Sequence, residues 1–181
     1  MGQRFLFQHV NSKLELVIMY ADLVGSTIIS MTLPTEKVIT IIKAFSRELS
    51  SVIESYGGFA LKYIGDAIIS FFPSGLNKYL ICDRAYRCAK SMISLRRNDI
   101  SHVFNKHWYP DLQIKVGMAE GENVVIQYGK VKSSQIDLKG YVLNVSAKII
   151  ANTLPNRISI GGTIYTLLHP KTQTAFEIVS K

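Results

Sequence analysis

The sequence of 181 residues predicts an α+β fold. Short apolar, β-prone runs alternate with longer segments whose apolar residues recur at three- and four-residue spacing, the periods of strands and amphipathic helices. Hydrophobic residues make up 48% of the chain and charged residues 19%, a balance typical of globular proteins. We expect a single domain over residues 1–181, with its core from about residue 14 to residue 180.

The first half of the chain predicts a strand, a long helix and a hairpin. The first strand is expected to end at Asp22, and Gly65-Asp66 supplies the hairpin turn. Gly57-Gly58 ends the helix, which has about six turns. The predicted elements are the strand Glu15–Ala21, the helix Val38–Tyr56 and the hairpin strands Phe59–Ile64 and Ala67–Phe72.

The second half predicts two helices among short strands. Residues 96–110 are interpreted as an irregular loop and residues 130–135 as an exposed basic linker. The predicted elements are the helix Lys78–Leu95, a strand pair Leu112–Ala119 and Glu122–Tyr128 around Gly121, the helix Tyr141–Asn152, and the strands Arg157–Ile160 and Ala175–Val179. The order favours a ferredoxin-like βαββαβ sandwich with extra C-terminal strands.

Composition and charge narrow the function classes. The net charge is +8, but Lys and Arg are scattered and no nucleic-acid-binding signature is present, so we expect no nucleic-acid partner. No apolar run is long enough for a membrane span and no signal peptide is recognisable, so we expect no membrane partner. Cys82 and Cys88 fall on different faces of one predicted helix, which disfavours a disulfide and favours a cytoplasmic protein.

Two aspartates are the main candidates for chemistry. Asp22 and Asp66 each follow a predicted strand, and two carboxylates at one sheet edge suit Mg²⁺ held over a phosphate chain. The alternative is that both are ordinary turn residues. The small residues Gly25-Ser26-Thr27 can present backbone N–H groups to an anion. The alternative is a plain N-cap by Ser26 or Thr27, and both interpretations can hold at once.

Three stretches together resemble the catalytic domain of class III nucleotidyl cyclases. The resemblance covers about Leu14 to Ile160, and the motifs occur in the order found in that family. The stretches are Tyr20-Ala21-Asp22-Leu23-Val24-Gly25-Ser26-Thr27, Gly57-Gly58-Phe59-Ala60-Leu61-Lys62-Tyr63-Ile64-Gly65-Asp66-Ala67 and Asp137-Leu138-Lys139-Gly140-Tyr141-Val142-Leu143-Asn144-Val145-Ser146-Ala147-Lys148.

The resemblance implies a reaction and the residues that support it. Asp22 and Asp66 match the aspartates that bind two Mg²⁺ or Mn²⁺ ions per site. Attack of the ribose 3′-hydroxyl on the α-phosphorus then yields a 3′,5′-cyclic nucleotide and pyrophosphate. The stretch expected to contact the triphosphate through its backbone comprises Leu23, Val24, Gly25, Ser26 and Thr27.

The resemblance also implies the base and the transition-state residues. Lys62 and Asp137 match the pair that reads adenine, whereas members that use GTP typically carry Glu and Cys, so ATP is favoured. Asn144 matches the residue that orients the ribose. Lys148 stands where the family usually has Arg, so the charge is kept and the bidentate fork is lost.

In the family, the metal-binding residues and the base-reading residues of one site come from different subunits. One chain here carries both sets, which implies a homodimer with two equivalent sites. The leading interpretation is therefore a homodimeric adenylate cyclase. A pyrimidine cyclase using UTP or CTP remains an alternative, as does a non-catalytic nucleotide-binding dimerisation module, which Lys148 motivates.

Overall fold

The computed structural model of the protein describes residues 2–75, 77–98, 113–129 and 135–179. Six strands form one sheet, and helices pack against both of its faces. The strands are β1 Lys13–Val24, β2 Phe59–Ile64, β3 Ala67–Pro73, β4 Gln113–Tyr128, β5 Gln135–Lys139 and β6 Ile158–Ile160. The helices are α1 Gly2–Phe7, α2 Ser26–Thr32, α3 Thr35–Ser55, α4 Lys78–Asn98, α5 Tyr141–Ala151, α6 Gly162–Leu167 and α7 Pro170–Gln173.

The sheet has the strand order β2-β3-β1-β4-β5, and β6 adds to β4 in parallel. Strand β1 lies in the middle and pairs antiparallel with both β3 and β4. In chain order, β1, α3, β2, β3, α4 and β4 make a βαββαβ unit, and the antiparallel order of its four strands is that of the ferredoxin-like sandwich. The predicted fold is confirmed.

The long helices cover one face of the sheet. Helix α3 buries Ile41, Phe45, Leu49 and Ile53, one residue per turn, as its apolar stripe predicted. Helix α4 lies on the same face. Its Cys82 and Cys88 are buried free thiols, and burial raises the pKa of each to about 12.

Helix α5 packs closely on the opposite face. Its buried residues are Val142, Ser146 and Ile150. At Gly117 of β4, a Cβ atom would meet the backbone of Ile150 at 2.7 Å, so only glycine allows this approach. The approach holds α5 firmly against β1 and β4.

The structure corrects several predicted strands. β4 is one continuous strand and not a pair around Gly121, because both of its halves pair with β1 in a single register. β1 continues past Asp22 to Val24. Residues 176–179 form no strand. β5 was missed because it directly follows the linker predicted for residues 130–135.

The helices also differ from the prediction in places. α4 extends to Asn98, beyond the predicted end at Leu95, and residues 99–110 of the predicted loop lie outside the described residues. The same holds for residues 130–134 of the predicted basic linker. The prediction did not include the short helices α1, α2, α6 and α7. No helix within the described ranges is long and apolar enough to cross a bilayer.

Candidate active site

Asp22 and Asp66 lie side by side at one edge of the sheet. Asp66 is in the turn between β2 and β3, where Gly65 adopts a left-handed conformation with φ 61°. Ala21 of β1 pairs with Ile68 of β3, which brings this turn beside Asp22. Burial raises the pKa of Asp22, and the nearby Asp66 carboxylate raises it further. The two acids therefore form a close carboxylate pair.

A lysine that the sequence analysis missed completes this edge. Lys115 lies directly opposite Asp22 in the ladder of β1 and β4, and its Nζ is 3.3 Å from Asp22 Oδ2. Its positive charge lowers the pKa of Asp22, against the effects of burial and Asp66. The available signal was a lone cation in the predicted strand Leu112–Ala119. Without the strand register, that signal did not connect Lys115 to Asp22.

The carboxylate pair suits a hard divalent cation. Asp66 Oδ2 is buried and has no hydrogen-bond partner among the described residues, so it offers a free acceptor. The described residues contain no group of three or more His, Cys, Asp or Glu side chains placed to bind a metal. Two carboxylates fit Mg²⁺ or Mn²⁺ that take their remaining oxygen ligands from water and phosphate.

The segment after Asp22 can contribute backbone groups. The ladder with β3 ends at Ala21, so residues 22–24 have no strand partner on the β3 side. The Leu23 side chain is buried in the core, which leaves only its backbone available. Gly25, in a left-handed conformation with φ 82°, is the N-cap of α2, and no side chain caps the helix. The alternative of capping by Ser26 or Thr27 is therefore wrong.

The predicted base-reading pair lies in a cleft of about 370 Å³ on the face of the sheet that carries Asp22. Lys62 Nζ donates a hydrogen bond to Asp137 Oδ2 at 2.7 Å, and Leu138 N donates to Asp137 Oδ1 at 2.8 Å. The structure thus joins residues that are far apart in the sequence. A cation and an anion stand together in the cleft, as a paired donor and acceptor.

Tyr20 lines the same cleft and was not singled out from the sequence. It stands two residues before Asp22 on β1, so both side chains project from one face of the sheet. Burial raises the pKa of Tyr20, and the negative charge of Asp137 raises it further. Tyr20 therefore brings a neutral phenol close to the Lys62–Asp137 pair.

Asn144 and Lys148 are exposed on α5, one turn apart. Asn144 lines the cleft with Lys62 and Asp137, whereas Lys148 is not among the lining residues. The structure therefore brings Asn144 to the base-reading pair. Lys148 faces the solvent one turn further along the helix.

The pattern of the family described as "Adenylate and Guanylate cyclase catalytic domain" matches residues 9–181, nearly the whole chain. The chain belongs to this family. It is a nucleotidyl cyclase catalytic domain, and its fold has the same arrangement of a mixed sheet and helices as other cyclase domains of class III.

Two solved cyclases have a similar structure. The adenylyl cyclase CyaB from P. aeruginosa matches with a TM-score of 0.79 and 20% identity, over 86% of this chain and 81% of that chain. The guanylyl cyclase Cya2 matches with a TM-score of 0.78 and 25% identity, over 87% of this chain and 80% of that chain. An adenylyl cyclase and a guanylyl cyclase therefore both share this fold.

A curated relative has a similar sequence. The receptor-type guanylate cyclase gcy-28 of Caenorhabditis elegans is 25% identical over 153 residues, which is 83% of this chain. The aligned region is 12% of that protein, so the cyclase domain described here spans about an eighth of its length. These comparisons support a nucleotidyl cyclase catalytic domain and do not identify the base of its substrate.

Proposed function

We propose that the chain is an adenylate cyclase, which converts ATP to 3′,5′-cyclic AMP and pyrophosphate at composite sites of a homodimer. The observation that carries the proposal is the pairing of Lys62 with Asp137 in a cleft that also holds Asn144, on the same face of the sheet as Asp22. The proposed base-reading pair and the proposed metal-binding Asp22 therefore lie on the same face of the sheet.

The choice of ATP rests on hydrogen-bonding chemistry. Adenine offers a ring nitrogen that accepts and an exocyclic amine that donates. Lys62 can only donate, and the Asp137 carboxylate can only accept, so the pair complements adenine. Guanine presents the opposite pattern on the same edge. The pair is partly exposed, with side-chain exposures of 39% and 26%, so water can reach both groups when they separate to admit a base.

The ribose 3′-hydroxyl and the triphosphate of ATP would lie beside the carboxylates of Asp22 and Asp66. Asp22 and Asp66 would hold two Mg²⁺ or Mn²⁺ ions, which when bound supply activation of the 3′-hydroxyl and neutralisation of phosphate charge. The backbone from Leu23 to Thr27 follows Asp22 directly and would contact the triphosphate. Asn144 would orient the ribose. Lys148 would stabilise the negative charge that develops on the α-phosphate, but it lacks the bidentate guanidinium group of an arginine.

Exposed apolar side chains around the site support a homodimer. Large hydrophobic residues flank each site element, which is typical of a surface that another protein covers. They flank the segment after Asp22, the turn that holds Asp66 and the helix that carries Asn144. They are Ile28, Met31, Tyr63, Ile64 and Tyr141, with exposures of 67%, 82%, 52%, 56% and 78%.

An assay with all four nucleoside triphosphates tests this function. The chain is incubated with ATP, GTP, UTP and CTP, in Mg²⁺ and in Mn²⁺, and products are identified by mass. We expect cyclic AMP to exceed each other product by at least about tenfold. An excess of cyclic UMP, CMP or GMP would refute the choice of ATP. No product in Mn²⁺, with ATP still bound, would instead support the non-catalytic module.

A further inference from the structure

We propose that Lys115 is an internal counter-ion that competes with divalent metal for Asp22, so that the site favours a metal–nucleotide complex over a free metal ion. The inference rests on the proposed metal-binding role of Asp22 and Asp66. Lys115 has no role in the proposed reaction, and the sequence motifs do not include it.

The geometry places the ammonium group where a cation is needed. Lys115 Nζ lies 3.3 Å from Asp22 Oδ2, and the two residues are direct neighbours across β1 and β4. The side chains are only 21% and 28% exposed, so water screens the pair less than it screens an open surface pair. Asp66 Oδ2 stays buried without a partner beside it. One fixed cation thus pairs with Asp22, and the neighbouring Asp66 keeps a free acceptor.

The charges of the ligands make the competition selective. A free divalent ion entering the site meets the positive Lys115 and must displace it from Asp22. A metal that arrives with a triphosphate brings several negative charges, which attract the displaced ammonium group. Lys115 therefore weakens binding of the free ion more than binding of the metal–nucleotide complex. Metal and nucleotide binding are thereby coupled, and the coupling is reciprocal.

Binding of Mn²⁺, measured by electron paramagnetic resonance with and without α,β-methylene-ATP, tests the inference on the full chain. Without nucleotide, we expect Lys115→Gln to bind Mn²⁺ at least about tenfold more tightly than the wild type, which corresponds to about 1.4 kcal/mol. The factor by which the nucleotide analogue tightens Mn²⁺ binding should fall in this variant. Lys115→Arg keeps the charge, so its Mn²⁺ affinity should stay near that of the wild type.

Lys13→Gln is the matched control, because Lys13 forms a similar cross-strand pair on the same strands, 2.9 Å from Glu122. It lies about 30 Å away along β1 and should leave Mn²⁺ affinity unchanged. Metal-free melting should show Lys115→Gln about 2–4 °C less stable, with Mn²⁺ restoring the difference.

The outcomes separate the two proposals. Unchanged or weaker Mn²⁺ binding by Lys115→Gln, while Asp22→Asn abolishes binding, would overturn the role of Lys115 and leave the metal site standing. Lower stability of Lys115→Gln at every Mn²⁺ concentration would mean that Lys115 is only structural. Mn²⁺ binding that is the same in the wild type and in Asp22→Asn would overturn the metal site itself.

Discussion

Asp22→Asn and Asp66→Asn should each lower cyclic-nucleotide formation by at least about a thousandfold. Asparagine keeps the shape of the side chain but loses the negative charge that holds a divalent cation over the phosphates. The rates are measured with ATP in Mg²⁺ and in Mn²⁺. Asp66→Asn should leave the fold stable. Asp22→Asn should weaken it only slightly, because it relieves the burial and repulsion that disfavour the ionised form of Asp22 but also removes the pair with Lys115.

The control for this loss is Glu122→Gln. Glu122 is an acid of the same sheet, half-exposed in its pair with Lys13, and it lies opposite Glu15, seven residues along β1 from Asp22. It should keep full activity, and melting temperatures should show that all three variants are folded. Activity within about tenfold of the wild type in either aspartate variant would mean that the pair does not hold the reacting metal.

Exchanging the base-reading pair should change the preferred nucleotide. In a double variant with Lys62→Glu and Asp137→Cys, the donor and the acceptor that complement adenine are lost, and Glu can accept from guanine. We expect the ratio of kcat/KM for ATP to that for GTP to fall by at least about a hundredfold, because unpaired polar groups discriminate strongly. Both rates are measured by product mass.

The single variants and a charge control make this prediction specific. Lys62→Glu alone places a second acid beside Asp137, where the wild type has a salt bridge of 2.7 Å, and should lose ATP turnover without gaining GTP turnover. Lys13→Glu makes the same charge change at a remote exposed position and should keep the ATP preference. An unchanged ATP to GTP ratio in the double variant would show that other residues read the base.

The fold followed closely from local patterns in the sequence. The apolar stripe of α3 and the Gly65-Asp66 turn predicted a helix and a hairpin, and both are present. The strand around Gly121 was misread because glycine is a turn signal. In the structure, a Cβ atom there would meet Val142 Cγ2 at 2.8 Å, so close packing against α5 accounts for this glycine.

The candidate site was predictable where a motif marks it and not where strand register decides it. Asp22, Asp66, Lys62 and Asp137 stood in recognisable stretches. Lys115 stands in none of these stretches and reaches the site only because it lies opposite Asp22 on the neighbouring strand. Register depends on long-range pairing, which no local pattern in β4 specifies.

The most direct test of the composite site is the activity of a purified heterodimer. One chain carries Asp66→Asn and the other Asn144→Ala, with different affinity tags, so that one site of the pair is intact and the other lacks both groups. Each variant alone should be almost inactive. The account predicts that the heterodimer recovers about half of the wild-type rate of cyclic AMP formation, since one of two equivalent sites is restored. A heterodimer as inactive as its parents would contradict a site shared between two chains.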